Sequence, residues 1–293
     1  MIAILGGLGA AVLWASATLT SSRAGRLIGP SSTVAWMMVV GVLVATPLAL
    51  LSGPVPTLTP ELVMWMLGSG VGGVLGLLLV YRGLSMGKVG VVAALASTEG
   101  AIAAVLSVVA GEHMTIPVAL MLCVIAGGVA TVALATGTPQ PDEAGQGPEA
   151  ARGAGSERQA VILGAMAAVC FGISIYSTAK LGASMTPVAA VLPVRVVGAV
   201  GVFIPLLLSG RLRITRRAVP MVLFIGTAEV FGNAAYVVGA QESIAIAAVL
   251  ASQFAAVAAI AAFILFREHL SLHQRSGVVA IAVGVALLTF FRG

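Results

Sequence analysis

Apolar residues in this chain run together for roughly twenty positions at a time, with no alternation between the two faces of a strand, and short clusters of charge, proline and glycine interrupt them. A run of that length is what an α-helix needs to cross a bilayer, about 20 residues at 1.5 Å each. The pattern predicts spans near 2–20, 31–52, 61–81, 89–110, 115–135, 160–179, 187–209, 218–240, 243–265 and 272–291. An outer-membrane barrel would instead show short strands alternating apolar and polar residues. The expectation is an all-α integral membrane protein of ten transmembrane helices.

The one long polar stretch, 137–159, holds Asp142, Glu143, Glu149, Arg152, Glu157 and Arg158 among prolines and glycines. Its composition is that of a flexible linker, dividing the chain into 1–136 and 160–293 with five spans each. The two parts echo one another. Ala11-Val12-Leu13-Trp14, with Arg23 following, matches Ala168-Val169-Cys170-Phe171 with Lys180 following, at an offset of 157. Tyr81 pairs with Tyr236 and Leu95-Ala96-Ser97 with Leu250-Ala251-Ser252 at 155, and Glu112-His113 pairs with Glu268-His269 at 156. Because five is odd, tandem copies cross the membrane in opposite senses, which gives two inverted five-helix repeats. That plan places a transported solute near the midplane between the repeats.

Composition narrows the function classes. Of 293 residues 59% are hydrophobic and 9% charged, where a soluble domain carries about 25% charged, so a soluble enzyme is excluded. The net charge is +5, but the basic residues are dispersed and aromatics are 5%, which argues against a nucleic-acid surface. Positive charge beside apolar spans reads as topology. The odd-numbered loops hold Arg23, Arg26, Arg82, Lys88, Arg152, Arg158, Arg211, Arg213, Arg216, Arg217, Arg267 and Arg275, whereas the even loops and termini hold Lys180 and Arg292. The positive-inside rule then puts the odd loops in the cytoplasm and both termini outside. Ala15-Ser16-Ala17 looks like a signal-peptidase site, yet no basic residue precedes the first apolar run, so it reads as a retained span. Cys123 and Cys170 lie in separate spans and read as packing residues.

Several of these residues carry a resemblance. Two five-span halves, Trp14/Arg23 and Phe171/Lys180 in the first span of each, the Pro187 to Arg195 spacing in the seventh span, and Glu-His followed by Met114 or Leu270 together resemble the EamA type of the drug/metabolite transporter superfamily. The resemblance implies a ten-helix secondary carrier of the cell membrane, of bacterial inner-membrane type. Many such carriers export amino acids, metabolites or drugs. The family's second-span arginine is matched by Arg195, while its first-half counterpart here is Met38. Where the family has a proline in the fourth and ninth spans, this chain has Glu99 and a residue near Ala255. The family's termini are usually cytoplasmic, the reverse of the charge count.

Three charged residues fall well inside apolar spans: Glu99, Arg195 and Glu229. A charge at the bilayer centre costs about 2.5–3.5 kcal/mol on insertion scales, so each needs a cavity, a partner or a neutral state. Glu229, Asn233 and Tyr236 stand at i, i+4 and i+7, one face of the eighth span, with Gly226 and Gly232 permitting close approach beside them. This stripe faces either a solute cavity or neighbouring helices. Glu99, after Ser97 and Thr98, suits a group that alternately holds a proton and a cationic solute, or else a carboxyl bonded inside a tight bundle. Arg195 pairs either with one of these glutamates or with a solute carboxylate. Supporting candidates are Trp14 with Thr18 and Ser21, again one helical face, and Gln253 in the ninth span. Tyr176 and Lys180 read as interfacial anchors.

Two motifs are decoys. Gly68-Ser69-Gly70-Val71-Gly72-Gly73 fits a dinucleotide fingerprint on paper but lies inside a spanning run, where small residues serve helix contact. Glu268-His269 with His273 does not make a zinc motif, so no metal or cofactor is expected. The sequence therefore reads as a secondary transporter of a small metabolite, amino-acid-like or drug-like solute, with protons and the lipid bilayer as its other partners and a monomer sufficient for the plan. The alternative is an intramembrane enzyme acting on a lipid or isoprenoid, and a non-transporting scaffold would leave the polar stripes unexplained. A reporter fused after Gly293 should signal from outside the cytoplasm, and a cytoplasmic signal would overturn the charge-derived orientation.

Overall fold

The computed structural model describes residues 1–53, 56–86, 92, 95–136, 154–254, 256, 257, 261, 280, 283 and 287. Among these the regular elements are all helical: α1 (Ile2–Ile28), α2 (Pro30–Ser52), α3 (Pro60–Met86), α4 (Glu99–Val109), α5 (Ile116–Thr136), α6 (Ala154–Leu181), α7 (Ala189–Leu208), α8 (Val219–Ala240) and α9 (Ile244–Ala251). Six of them, α1, α2, α3, α6, α7 and α8, are long and apolar enough to cross a membrane, and α4 and α5 are shorter apolar helices. The chain is thus a multi-pass helical membrane protein. Helix α6 starts at Ala154, inside the polar stretch 137–159. The start of that stretch and almost all of the tenth expected span, with Glu268 and His269, lie outside the described residues.

The fourth expected span is not continuous. Leu95 and Ala96 are helical, Ser97 and Thr98 form a turn, and α4 begins at Glu99. The Thr98 amide and hydroxyl both donate to the Leu95 carbonyl, at 3.1 and 2.7 Å, and the α ladder resumes where Ile102 N–H donates to the Thr98 carbonyl. Helix α9 ends in the same way, 155 residues on. Gln253 N–H donates to the Leu250 carbonyl at 3.2 Å, the Ser252 hydroxyl donates to the Val249 carbonyl at 2.8 Å, and Val257 N–H donates to the Gln253 carbonyl at 2.9 Å. No proline is needed at the described breaks, because a hydroxyl that bonds its own preceding turn competes with the helical ladder.

Helix α7 is irregular for a different reason. It opens with the 3-10 turn Ala189–Val191, is α-helical over Leu192–Gly198, widens to a π-helix over Ala199–Phe203 and closes as α-helix over Ile204–Leu208. Pro205 has no N–H to return to the preceding turn, and the Ile204 N–H bonds the Ala199 carbonyl instead.

Small residues set the packing. Helix α1 lies along α8 so closely that a Cβ on Gly6 would sit 2.6 Å from Gly239 Cα, and on Gly7 it would sit 2.8 Å from Leu250 Cβ of α9. In the other half α6 lies along α3, where a Cβ on Gly72 would meet the Cys170 carbonyl at 2.8 Å, and Gly164 faces Leu95 at 3.2 Å. The glycines of 68–73 therefore serve two helices: Gly68 and Gly72 face α6, and Gly70 and Gly73 face Val197 and Val194 of α7. Trp14 seats against Gly232 as Phe171 seats against Gly76, both near 2.7 Å from the position of an added Cβ (2.8 and 2.6 Å).

The loops gather at two ends. At one, Glu242 accepts from Ala3 N–H at 2.8 Å, Gln241 donates to the Gly182 carbonyl at 3.1 Å, and the Ser52 and Thr186 hydroxyls are 2.9 Å apart. The Ala3 bond holds the Glu242 carboxyl below its usual range, helped by the Met1 amino group beside it. Glu112 also belongs to this end, accepting from the Ser243 hydroxyl and from Ala245 N–H at the start of α9. At the other end Trp36 Nε1 donates to the Arg213 carbonyl and Arg213 N–H donates to the Ser32 hydroxyl, each at 3.0 Å, so the arginine loop 211–217 sits over the start of α2. Replacing Gly6 by Ala, where the added methyl meets backbone, should lower stability by about 1–3 kcal/mol. Gly9→Ala, with its nearest neighbour at 3.8 Å, should be neutral or mildly stabilising, as read by thermal unfolding in detergent.

Candidate functional site

Two of the three charged residues expected inside apolar spans, Arg195 and Glu229, meet inside the bundle. Arg195 of α7 is 3% exposed at its side chain and donates from one terminal nitrogen to Glu229 Oε2 at 3.0 Å and to the Glu229 carbonyl at 3.3 Å. Glu229 keeps 22% of its side-chain exposure, so the pair is buried on the arginine side and open on the carboxylate side. The Asn233 amide donates to the same Glu229 carbonyl at 2.8 Å, one turn along α8. A guanidinium buried in a membrane helix cannot shed its proton, and an ion pair within hydrogen-bond distance is the way it is accommodated.

The local sequence explains how Arg195 fits. Its aliphatic stem lies against Gly41 of α2, where a Cβ would fall 2.7 Å from Arg195 Cδ, and its second terminal nitrogen faces Met38 Sδ at 3.8 Å. Met38 is in turn seated against Gly198, where a Cβ would be 2.6 Å from its sulfur. Arg195 and Met38 are separated by 157 residues, and so are Gly198 and Gly41. The two positions that the repeat offset equates therefore touch each other, each over the other's glycine.

Above this contact lies an aromatic cluster. Trp14 packs on Tyr236 at 6.3 Å between ring centroids and edge-on to Phe254 at 6.2 Å. The Tyr236 hydroxyl donates to the Ile175 carbonyl of α6 at 3.2 Å, so it ties α8 to α6. Glu99 is buried, 8% exposed, in the first turn of α4 and within electrostatic range of both Glu229 and Tyr236. Its neighbour Gly100 approaches α9 so closely that a Cβ there would be 2.7 Å from Ser252 Oγ, which brings the two helix breaks to one level. Ser97 is buried in the first break and Gln253 in the second. Gln253 Nε2 donates to the Val249 carbonyl at 3.0 Å, and its Oε1 is buried with no hydrogen-bond partner.

Two expected residues are placed differently. Thr18 is exposed one turn beyond Trp14 and does not enter the buried cluster, because the buried stripe of α1 continues through Ala17, Ala24 and Ile28 and leaves Thr18 at its edge. Tyr176, expected as an interfacial anchor, is 7% exposed, lies edge-on to Trp65 at 5.7 Å and carries Lys180 over its ring at 5.4 Å. Lys180 lines a cleft of about 300 Å³ at the Met1 end together with Ser107, Glu112, Glu242 and Ser243. Sequence reasoning missed Gly41, Thr98 and Phe254. The offset of 157 could have found Gly41 as the mate of Gly198, whereas Phe254 carries no signal among so many apolar residues.

Comparison with known proteins agrees with this architecture. The EamA-like transporter family matches residues 1–134 and 158–290, one match on each side of the polar stretch. No curated protein matches the chain significantly. A solved crystal structure of a protein superimposes with a TM-score of 0.76 at 16% identity, covering 99% of this chain and 96% of that one, which is a likeness of fold. The matched segments span nearly the whole sequence, and the chain belongs to the EamA-like transporter family.

Proposed function

We propose that this protein is a secondary active transporter that exports a small metabolite, amino-acid-like or drug-like solute by alternating access, driven by protons or another gradient. The observation that carries this reading is a set of ionisable groups, Glu99 and the Arg195–Glu229 pair, gathered in the interior at the level where two helices break. In transporters such interrupted helices frame the solute and coupling-ion sites. On this reading the chain has ten spans in two inverted repeats. Helix α1 starts at the Met1 end, whereas α6 finishes at it, since Leu181 lies next to Gly182 and Gln241 there. The paired contacts Gly7–Leu250 with Leu95–Gly164, and Gly232–Trp14 with Gly76–Phe171, support the same two-fold relation.

The packing also suggests which bodies move. The sequence halves do not separate as blocks, because α1 is locked to α8 and α9 while α6 is locked to α3 and α4 through backbone-to-backbone contacts at glycine. Two bundles, each built from both halves, rock against one another across the crossing of α2 and α7, turning about the contacts that join them, Gly100 of α4 on Ala248 of α9 and the Tyr236–Ile175 bond. Trp14, Glu229, Asn233, Tyr236 and Gln253 ride on the first bundle and Ser97 and Glu99 on the second, so the solute is held between them. The charge count puts the arginine-rich end in the cytoplasm and the Met1 end outside.

In proteoliposomes on a solid support, a panel of amino acids, amines and organic acids should give a solute-dependent current or tracer flux that Glu99→Gln or Glu229→Gln reduces at least tenfold. Well-inserted protein that moves none of them by either readout would sink the proposal. The ion pair has its own signature: Arg195→Met should cost about 3–5 kcal/mol by stranding Glu229. Adding Glu229→Met should recover most of that loss in thermal unfolding, and an additive double variant would contradict the pairing.

A further inference from the structure

Resting on that transport reading, we infer that the transported solute is a cation, an amine that carries no carboxylate, and that it takes the place of a proton on Glu99. Arg195 is the only basic residue well inside an apolar span, and it is already satisfied: its side chain is 3% exposed and its terminal nitrogens face Glu229 and Met38. Its remaining unpartnered nitrogen, Nε, lies 3.3 Å from where a Cβ on Gly41 would be, against α2. The other buried donor without a partner, Trp14 Nε1, lies in the same manner 2.8 Å from the Cβ position of Gly232. A solute carboxylate would therefore find no unpaired positive charge in the described site, only the second amide N–H of Asn233 and of Gln253.

The acceptors are disposed the other way. Glu99 has no ion pair and no hydrogen bond among the described residues, although it is 8% exposed. One helix break away, Gln253 Oε1 is buried and unpartnered, its orientation fixed by the bond from Nε2 to the Val249 carbonyl. A carboxylate, an orphaned carbonyl oxygen and the rings of Trp14, Tyr236 and Phe254 are the partners that an ammonium group takes, by charge, by hydrogen bond and by its attraction to aromatic faces. Glu229 shares its charge with Arg195 through Oε2, so it holds an ammonium less strongly than the unpaired Glu99 does.

The exchange balances. The ammonium enters with its own protons, the O–H bond of the Glu99 carboxyl breaks, and that proton leaves to water on the side to which the site is open. On the other side a proton from water reforms the O–H bond and the ammonium departs. The titratable or charged groups on the elements packed against α4 are Glu157, Arg158, Cys170, Tyr176 and Lys180 of α6 and Cys123 of α5, while α9 contributes none; Glu229 and Tyr236 of α8 and Glu112 beyond the end of α4 complete the set. Of these Glu229 is the group whose charge reaches Glu99.

The test uses three probes of one shape and different charge, 2-phenylethylamine, phenylalanine and 3-phenylpropionate, binding to the full-length purified protein by calorimetry in weakly buffered solution with a pH dye. Phenylethylamine should bind at least tenfold more tightly than the other two, release about one proton per site, and weaken as pH falls. Glu99→Gln should abolish both the preference and the proton release, and Glu99→Asp should keep both at reduced affinity. Equal binding of the three probes, preference for either carboxylate-bearing probe, no amine binding at pH 8, or proton release that survives Glu99→Gln would each overturn the inference. Because binding is read without flux, a protein that prefers the amine but moves nothing refutes transport alone, and one that moves solutes without regard to charge refutes the charge selection alone.

Discussion

The Arg195–Glu229 ion pair constrains everything around it. An arginine in the middle of an apolar span keeps its charge, so the fold must bring a carboxylate to it, and α7 and α8 are held together at that level by a contact of 3.0 Å. The stem of the arginine then needs room, and Gly41 provides it on α2. The repeat mate of the arginine is Met38, an uncharged and flexible side chain that can lie beside the guanidinium without demanding a second counter-ion. Two arginines at this crossing would repel one another with only one glutamate in contact.

From that crossing the rest of the bundle follows. Lipid offers no hydrophobic force between helices, so close approach at small residues is what fixes them, and glycine lines the α1–α8 and α3–α6 contacts. These contacts join helices of different halves, which makes each rigid body a mixture of both repeats. On the proposed reading the polar site falls between the bodies, where the two broken helices and the ion pair leave groups that no apolar neighbour can satisfy. Irregular backbone inside a membrane is tolerated where it is buried in protein, as it is at Ser97-Thr98 and Ser252-Gln253.

Much of this was legible in the residues. Apolar run length gave the six helices long enough to cross a membrane, and the rarity of charge inside the apolar runs singled out Glu99, Arg195 and Glu229 as candidates, because insertion cost makes each one conspicuous. The helix breaks were not legible: Ser97-Thr98 and Ser252-Gln253 are ordinary polar pairs, and only their hydroxyl bonds to Leu95 and Val249 interrupt the ladder. The pairing of Arg195 was open between two glutamates and a solute, since spacing along a helix says nothing about which neighbour stands opposite. Tyr176 was misjudged because a Tyr-Lys pair near a span end looks alike whether it meets lipid headgroups or, as here, Trp65. The interlocking of the halves was invisible for the same reason, as it rests on which glycine faces which helix.

The central claim is that two mixed bundles rock about the α2–α7 crossing. Pulsed spin-label distances test it most directly, in protein whose Cys123 and Cys170 have been replaced by Ser, with one label pair at Leu5 and Val109 near the Met1 end and another at Leu27 and Ile162 near the arginine-rich end, all four side chains being exposed. As pH is stepped across the range in which transport responds, one distance should lengthen while the other shortens. Distances that stay fixed, or that change in the same sense, would contradict alternating access by these bodies.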